Sequence, residues 1–468
     1  MQSVRTSSGM FEPDVDSRLV SISREDVNFH PHSFADDSGR LFRWKGDLYR
    51  AISSQWADFF EGLVRDGTLL QLVERGLLIE TTPTDLKLEG YAMVVKHRSI
   101  PFVSYPHEWS AVMLRDASVA IIDLAIEVTQ RDLALKDGHP WNILFDAYTP
   151  IWVDLTSITP PEHVTGWRPY DSFCRFCYYP LILMSHGHER IARALIPEYN
   201  GVQRSELIAL MRSTVASRFI FHKLLSRGLN FGRSSLKGKS SGSGSPLALL
   251  KQAKRDLESI SLPAYEDKQQ EARREHVRLL SASGETPQQR TLRGILTQLH
   301  PDAVLDLSRG ETWTSILPAT MGFYVVSAEA DPARATTLYK VARENRLRIL
   351  TLIMDFIKPT PSIGYSNHYS ISAAERLKCD FVVALGLAHR AALENYLTFD
   401  LIAEGLSSFS KRWLLVDFVT KQNNGASNVT RFDSHQLPGF IAALRKQFSD
   451  VRVVSSGAGP EWWLLCEK

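Results

Sequence analysis

Three acidic residues follow apolar runs at regular intervals near the end of this chain. Asp306 is the fourth residue of "AVLDL", Glu329 ends "FYVVSAE" with Asp331 two residues on, and Asp355 follows "RILTLIM". In open α/β sheets the ligand lies beyond the carboxyl ends of the strands, beside the point where strand order reverses. A carboxylate placed there accepts two hydrogen bonds from a vicinal diol such as a ribose. A second constellation lies upstream in "LKDGHPWNILFDAYTPIWVDLTSI": Asp137, Asn142 five residues later, and Asp154 twelve after that. An acid that orients a hydroxyl, an amide and a further acid that hold a divalent cation are the parts of a phosphoryl-transfer site. Both sets have a local alternative. The strand-end acids are also good helix N-caps, Asp137 and Asn142 with Gly138 and Pro140 are good turn residues, and Asp154 is a good helix cap.

The elements that must position the first set read as strands alternating with helices from Thr291 onward, which predicts a parallel sheet covered on both faces. The strands are "AVLDL", "FYVVSAE", "RILTLIM", "DFVVALGL", "RWLLVDFV", "VRVVSS" and "WWLLCE"; the helices are "WTSILPATM", "ARATTLYKVARENR", "TFDLIAEGLSSF" and "LPGFIAALRKQF". Only "GAGPE" joins the last two strands, too short for a crossover, so they must form an antiparallel hairpin. This order resembles the Rossmann-like, seven-stranded class I S-adenosylmethionine-dependent methyltransferase fold, in which that hairpin inserts the last strand into the sheet. The resemblance implies S-adenosylmethionine as cofactor. Asp306, Ser308 and Gly310 would occupy its methionine loop, although Ser308 and Thr312 stand where glycines are expected. Glu329, or Asp331 in its place, would take the ribose. Asp355 would take the adenine amino group and Phe356 its ring. His389 would lie near the methyl acceptor as a catalytic residue, with Asp417 and Lys421 as alternatives on that side. A lone histidine after a strand is also commonly structural.

The segment 39–229 reads as a mainly helical α+β domain. It begins with a hairpin, "GRLFRWKGDLYRAI", turning at Lys45-Gly46-Asp47. A helix "WADFFEGLVRDGTLLQLVERG" and a strand "GYAMVVKH" follow, then a long helical stretch over 108–136. "DGHPWN" resembles the catalytic loop of kinases and "WVDLT" their metal-binding strand end, which implies magnesium and ATP. No glycine-rich phosphate loop precedes them. Lys96, 41 residues before Asp137, fits a hinge strand better than a phosphate-binding strand. The expected division is a polar tail at 1–38 and a kinase-like domain at 39–229, whose small lobe runs to about 98. A linker with bridging helices at 230–285 and a methyltransferase-like domain at 286–468 complete it. The linker is signalled by "FGRSSLKGKSSGSGSP".

Composition narrows the classes. The chain has 468 residues, 54 basic and 52 acidic, for a net charge of +2, which speaks against a nucleic-acid binder. Four scattered cysteines suit buried thiols in a reducing compartment rather than a disulfide framework. No signal-like or membrane-spanning run appears, so the expectation is a soluble, cytoplasmic protein; the oligomeric state is not legible.

Taken together, "SYPHEWSAVMLRDAS", "LKDGHPWNILFD…PIWVDLTSI", "VLDLSRGET…VVSAEADP" and "VVALGLAHR…LLVDFV" resemble a bacterial family with a kinase-like front and a methyltransferase-like back. Arg390 departs from that family, whose members tend to carry a second histidine there. The resemblance implies a part in host-specific nodulation through modification of a small-molecule, glycan or lipid-linked acceptor. Two alternatives stand beside methyl transfer: nucleotide binding or phosphoryl transfer through the kinase-like part, and a non-catalytic regulatory protein built from two degenerate enzyme folds.

Overall fold

A computed structural model describes residues 20–30, 33, 36–161, 167–211, 245–280, 284–309, 312–367, 369–419, 436–455 and 461–468. The chain divides into two compact units, Met1–Ser99 and Ile100–Lys468. The Ser/Gly/Lys-rich stretch of the expected linker, 231–246, falls almost wholly outside the described residues, whereas the bridging helices after it are described as Pro246–Glu258 and Glu266–Leu280.

The first unit is an antiparallel five-stranded sheet in the order Asn28–Phe29, Gly39–Trp44, Asp47–Ile52, Met93–His97, Thr81–Pro83. The expected hairpin pairs Trp44 with Asp47, so its loop is only Lys45-Gly46. Both loop residues have positive φ, 49° and 89°, as a two-residue turn matched to strand twist requires. The helix read as continuous over 56–76 is two, Ser54–Arg65 and Thr68–Glu74, because Gly67 between them takes φ 77°. Part of the stretch read as a polar tail is built into this unit. Ser21–Ile22 pairs with Lys87–Leu88, and Ile22 and Val27 are buried with Phe42, Tyr49 and Leu88. Lys96 sits on the Met93–His97 strand with its ammonium 2.7 Å from Asp47 Oδ2.

In the second unit a seven-stranded sheet contains the expected strands: β1 (Ala303–Asp306), β2 (Tyr324–Glu329), β3 (Ile349–Ile353), β4 (Cys379–Ala384), β5 (Ser410–Val419), β6 (Asp450–Ser455) and β7 (Glu461–Glu467). Their order is β3-β2-β1-β4-β5-β7-β6. β1 to β5 run parallel, and β7 is antiparallel to both β5 and β6, so the hairpin does insert the last strand between its neighbours. Every residue of β1, β2 and β3 is buried. That is why these strands read as unbroken apolar runs rather than as alternation.

The residues before the sheet belong to the same unit. The helix Ala111–Gln130, whose N-cap Ser110 accepts from the Met113 N–H, lies beside the helix Pro332–Asn345. There the Tyr339 hydroxyl donates to Asp116 Oδ2 over 2.7 Å, and Arg343 pairs with the same carboxylate. The Ala147 N–H donates to the Tyr324 hydroxyl at 2.8 Å. Glu108 and Arg376, 1% and 2% exposed, form an ion pair; Arg376 also donates to the Val103 carbonyl and Glu108 accepts from the Tyr105 N–H. The charged helix Pro246–Glu258, one of the expected bridging helices, buries Leu250 and Leu257, and its Lys254 pairs with Asp123 at 2.6 Å. All four cysteines are buried, unpaired thiols. No described helix is long and apolar enough to cross a membrane.

Candidate functional site

The strand order reverses between β1 and β4, so the crevice to inspect lies over the carboxyl ends of β1, β2 and β3. Asp306, Glu329 and Asp355 stand at those three ends. Asp306 is buried and turned onto its own loop: Oδ1 accepts from the Ser308 N–H at 2.9 Å and Oδ2 from the Ser315 hydroxyl at 2.5 Å. Burial raises its pKa against the pull of those donors. Ser308, at a position where glycine was expected, is buried as well. Its hydroxyl oxygen accepts from the Leu385 N–H at 3.0 Å, tying the loop after β1 to the loop after β4.

Glu329 is 6% exposed, and the Arg334 Nε donates to its Oε1 at 3.3 Å. Burial pushes its pKa up to about 7, only partly offset by Arg334 and reinforced by Asp306. Arg334 also lines a cleft of about 400 Å³ together with Lys268, Glu275, Arg278, Thr312 and Trp313. Asp331 has the local role allowed for it. It caps the Pro332–Asn345 helix by accepting from the Ala333 N–H at 2.9 Å, and Lys268 pairs with its other oxygen at 2.7 Å. Asp355 Oδ1 accepts from the Ile357 N–H at 3.0 Å and lies 2.5 Å from Nη2 of Arg309.

The remaining candidates separate. Phe356, expected against a ligand ring, is buried beside Phe409 and Gly405 of the Phe399–Phe409 helix, so its ring is committed to the core. His389 does not follow a strand directly; it is half-buried on a short helix, Ala388–Leu393, that the apolar pattern did not disclose. Asp417 is buried within β5 and accepts from the Gly386 N–H at 2.9 Å, bracing the loop after β4. Gly310 and Lys421 lie outside the described residues. Arg309, Arg334 and Ser315 were missed because they are recognisable only by their partners.

The second constellation closes on one hydroxyl. Ser157 Oγ lies 2.6 Å from Asp137 Oδ2 and 2.6 Å from Asp154 Oδ2, and Asn142 Nδ2 donates to it at 3.3 Å. Asp154 Oδ1 accepts from Thr156 at 2.8 Å, and its backbone carbonyl accepts from the Trp152 indole at 2.7 Å. A hairpin, Ile143–Asp146 with Thr149–Trp152, separates Asn142 from Asp154 and sets that approach. His139, whose Nε2 is 3.9 Å from Asp137, has a pKa lowered by burial despite the two acids. A hydroxyl has one proton to give, so it cannot donate to both carboxylates at once. Ser157 was missed, although it lies only three residues after Asp154.

The described residues thus define a mixed α/β protein with a seven-stranded sheet and acids at adjacent strand ends. The chain is similar along most of its length to nodulation protein NoeA of Rhizobium meliloti (strain 1021), with 22% identity over 438 residues, 89% of this chain and 91% of that protein. No family model matches. Among solved structures, TehB from Haemophilus influenzae aligns at TM-score 0.27 and 14% identity over 38% of this chain, and the bifunctional kinase-methyltransferase WbdD at 0.27 and 15% over 38%. RsmC, a 16S rRNA methyltransferase of T. thermophilus solved with AdoMet, aligns at 0.26 and 18% over 40%. The alignments span 61%, 37% and 44% of those chains.

Proposed function

We propose that residues 286–468 form an S-adenosylmethionine-dependent methyltransferase domain acting on a small-molecule, glycan or lipid-linked acceptor. The observation that carries it is Glu329, a buried carboxylate ending the strand next to the switch point of a sheet ordered β3-β2-β1-β4-β5-β7-β6. The residues present fit an adenosyl group: Glu329 for the ribose hydroxyls and Asp355 for the adenine amino group, with the Asp306–Ser308 turn as floor. The cofactor would supply an activated methyl group. The protein's own task is to bring an acceptor into line with it and, where the acceptor needs one, to provide a base. Similarity to a nodulation protein supports a part in nodulation as a further element of the proposal. Calorimetric titration with S-adenosylmethionine tests it: binding is expected, with loss in Glu329→Ala, and silence at millimolar ligand rejects it.

A second reading is favoured by one specific feature, the convergence of Asp137, Asn142 and Asp154 on Ser157. Two carboxylates around one hydroxyl suit a divalent cation, and hence nucleotide binding by a kinase-like part spanning 39–229. The expected sign is a rise in Tm with magnesium and ATP together that Asp154→Ala removes. An unchanged Tm counts against it.

A further inference from the structure

We infer that Arg309 is a latch across the adenosyl crevice, an inference that rests on the methyltransferase reading of that crevice. Arg309 follows β1 by three residues, and its N–H still pairs with the Leu385 carbonyl at 2.9 Å on the β4 side. Its side chain ends 2.5 Å from Asp355, which follows β3 by two residues. The sheet order puts β2 between β1 and β3, and Met354, next to Asp355, still pairs its N–H with the Glu329 carbonyl at 3.0 Å. Neighbouring strands lie about 4.8 Å apart. A contact from the loop after β1 to the loop after β3 therefore crosses over the end of β2, where Glu329 sits. This is the path that a ribose and adenine must occupy to reach Glu329 and Asp355 together.

The backbone holds the latch in place. Gly386, in the loop after β4, adopts φ 68°, and a Cβ there would come within 2.8 Å of the Arg309 carbonyl oxygen. That contact leaves no room for a side chain between the two loops. Each strand-end acid meanwhile has its own intramolecular partner: Ser315 and the Ser308 amide for Asp306, Arg334 for Glu329, Arg309 for Asp355. Asp306 is fully committed, whereas the Arg309–Asp355 pair is partly exposed at 21% and 40% and so is the one a ligand can open. Opening it exchanges Arg309 for an adenine amino group on the same carboxylate, so a ligand without a hydrogen-bond donor there cannot repay the exchange.

The test is calorimetric titration of S-adenosylhomocysteine, which lacks the sulfonium charge, into the full chain and its Arg309→Ala and Arg309→Lys variants. A partly exposed ion pair is worth enough to shift affinity about fivefold. Arg309→Ala is expected to bind about fivefold tighter than the parent, with Arg309→Lys, which keeps the charge, near the parent. If Arg309→Ala unfolds, Arg309→Met, which keeps the aliphatic stem, carries the same expectation. Parent binding that stays equal or weakens in the uncharged variants overturns the latch and leaves the adenosyl crevice standing. No binding by any folded variant overturns both.

Discussion

The two acidic clusters of the second unit solve the same problem differently. At the strand ends each carboxylate has a dedicated partner from a different element. Around residue 157 two carboxylates share a single hydroxyl. The first arrangement is paired acid by acid, so a ligand must displace a partner. In the second the Ser157 proton serves one carboxylate at a time, while Asp154 also accepts from Thr156.

The strongest way to break the comparison is to cut what both regions depend on. Glu108 lies at the turn before the Ala111–Gln130 helix and Arg376 just ahead of β4, and removing one partner strands the other charge in the interior. Glu108→Ala should therefore destabilise the second unit by about 3–5 kcal/mol in chemical denaturation; a loss under about 1 kcal/mol would show that the pair does not join them.

Next in size is Glu329. Its folded pKa, raised by burial to about 7, stands above the ordinary value of 4.5, so the folded state holds the proton longer than the unfolded chain. The parent should then lose about 3 kcal/mol of stability as pH rises from 4.5 to 7, and Glu329→Gln should not. Parallel stability curves for the two proteins across that window would remove the claim that this carboxylate is held against its preference.

The smallest effect sharpens the other side. Ser157→Ala should cost about 1–2 kcal/mol by removing the shared hydroxyl. If stability is unchanged without magnesium, the serine does not hold the acids together.

The sheet was legible because both of its faces are buried. Such strands show as apolar runs, and the five-residue "GAGPE" connection forced the hairpin. The three strand-end acids followed from the same logic. What occupies those acids was not legible, because it depends on contacts distant in sequence or on loop geometry: Arg309 with Asp355, Arg376 with Glu108, Ser308 with Leu385. Phe356 misled because aromatic character near a strand end looks the same whether the ring faces a crevice or the core. The Ser/Gly-rich segment announced a break in composition, yet helices on either side of it, Ala111–Gln130 and Pro246–Glu258, pack together in one compact unit. Composition reports that a stretch has little to bury; it says nothing of what its flanks bury against each other.

The placement of β7 between β5 and β6 sets an order on assembly. β6 is made first but has no neighbour at that edge of the sheet until Glu461–Glu467 arrives. Until then the open side of β5 offers a row of unmet amide and carbonyl groups to any other extended chain. A variant that lacks Glu461–Glu467 would keep that edge open and so be prone to mispairing.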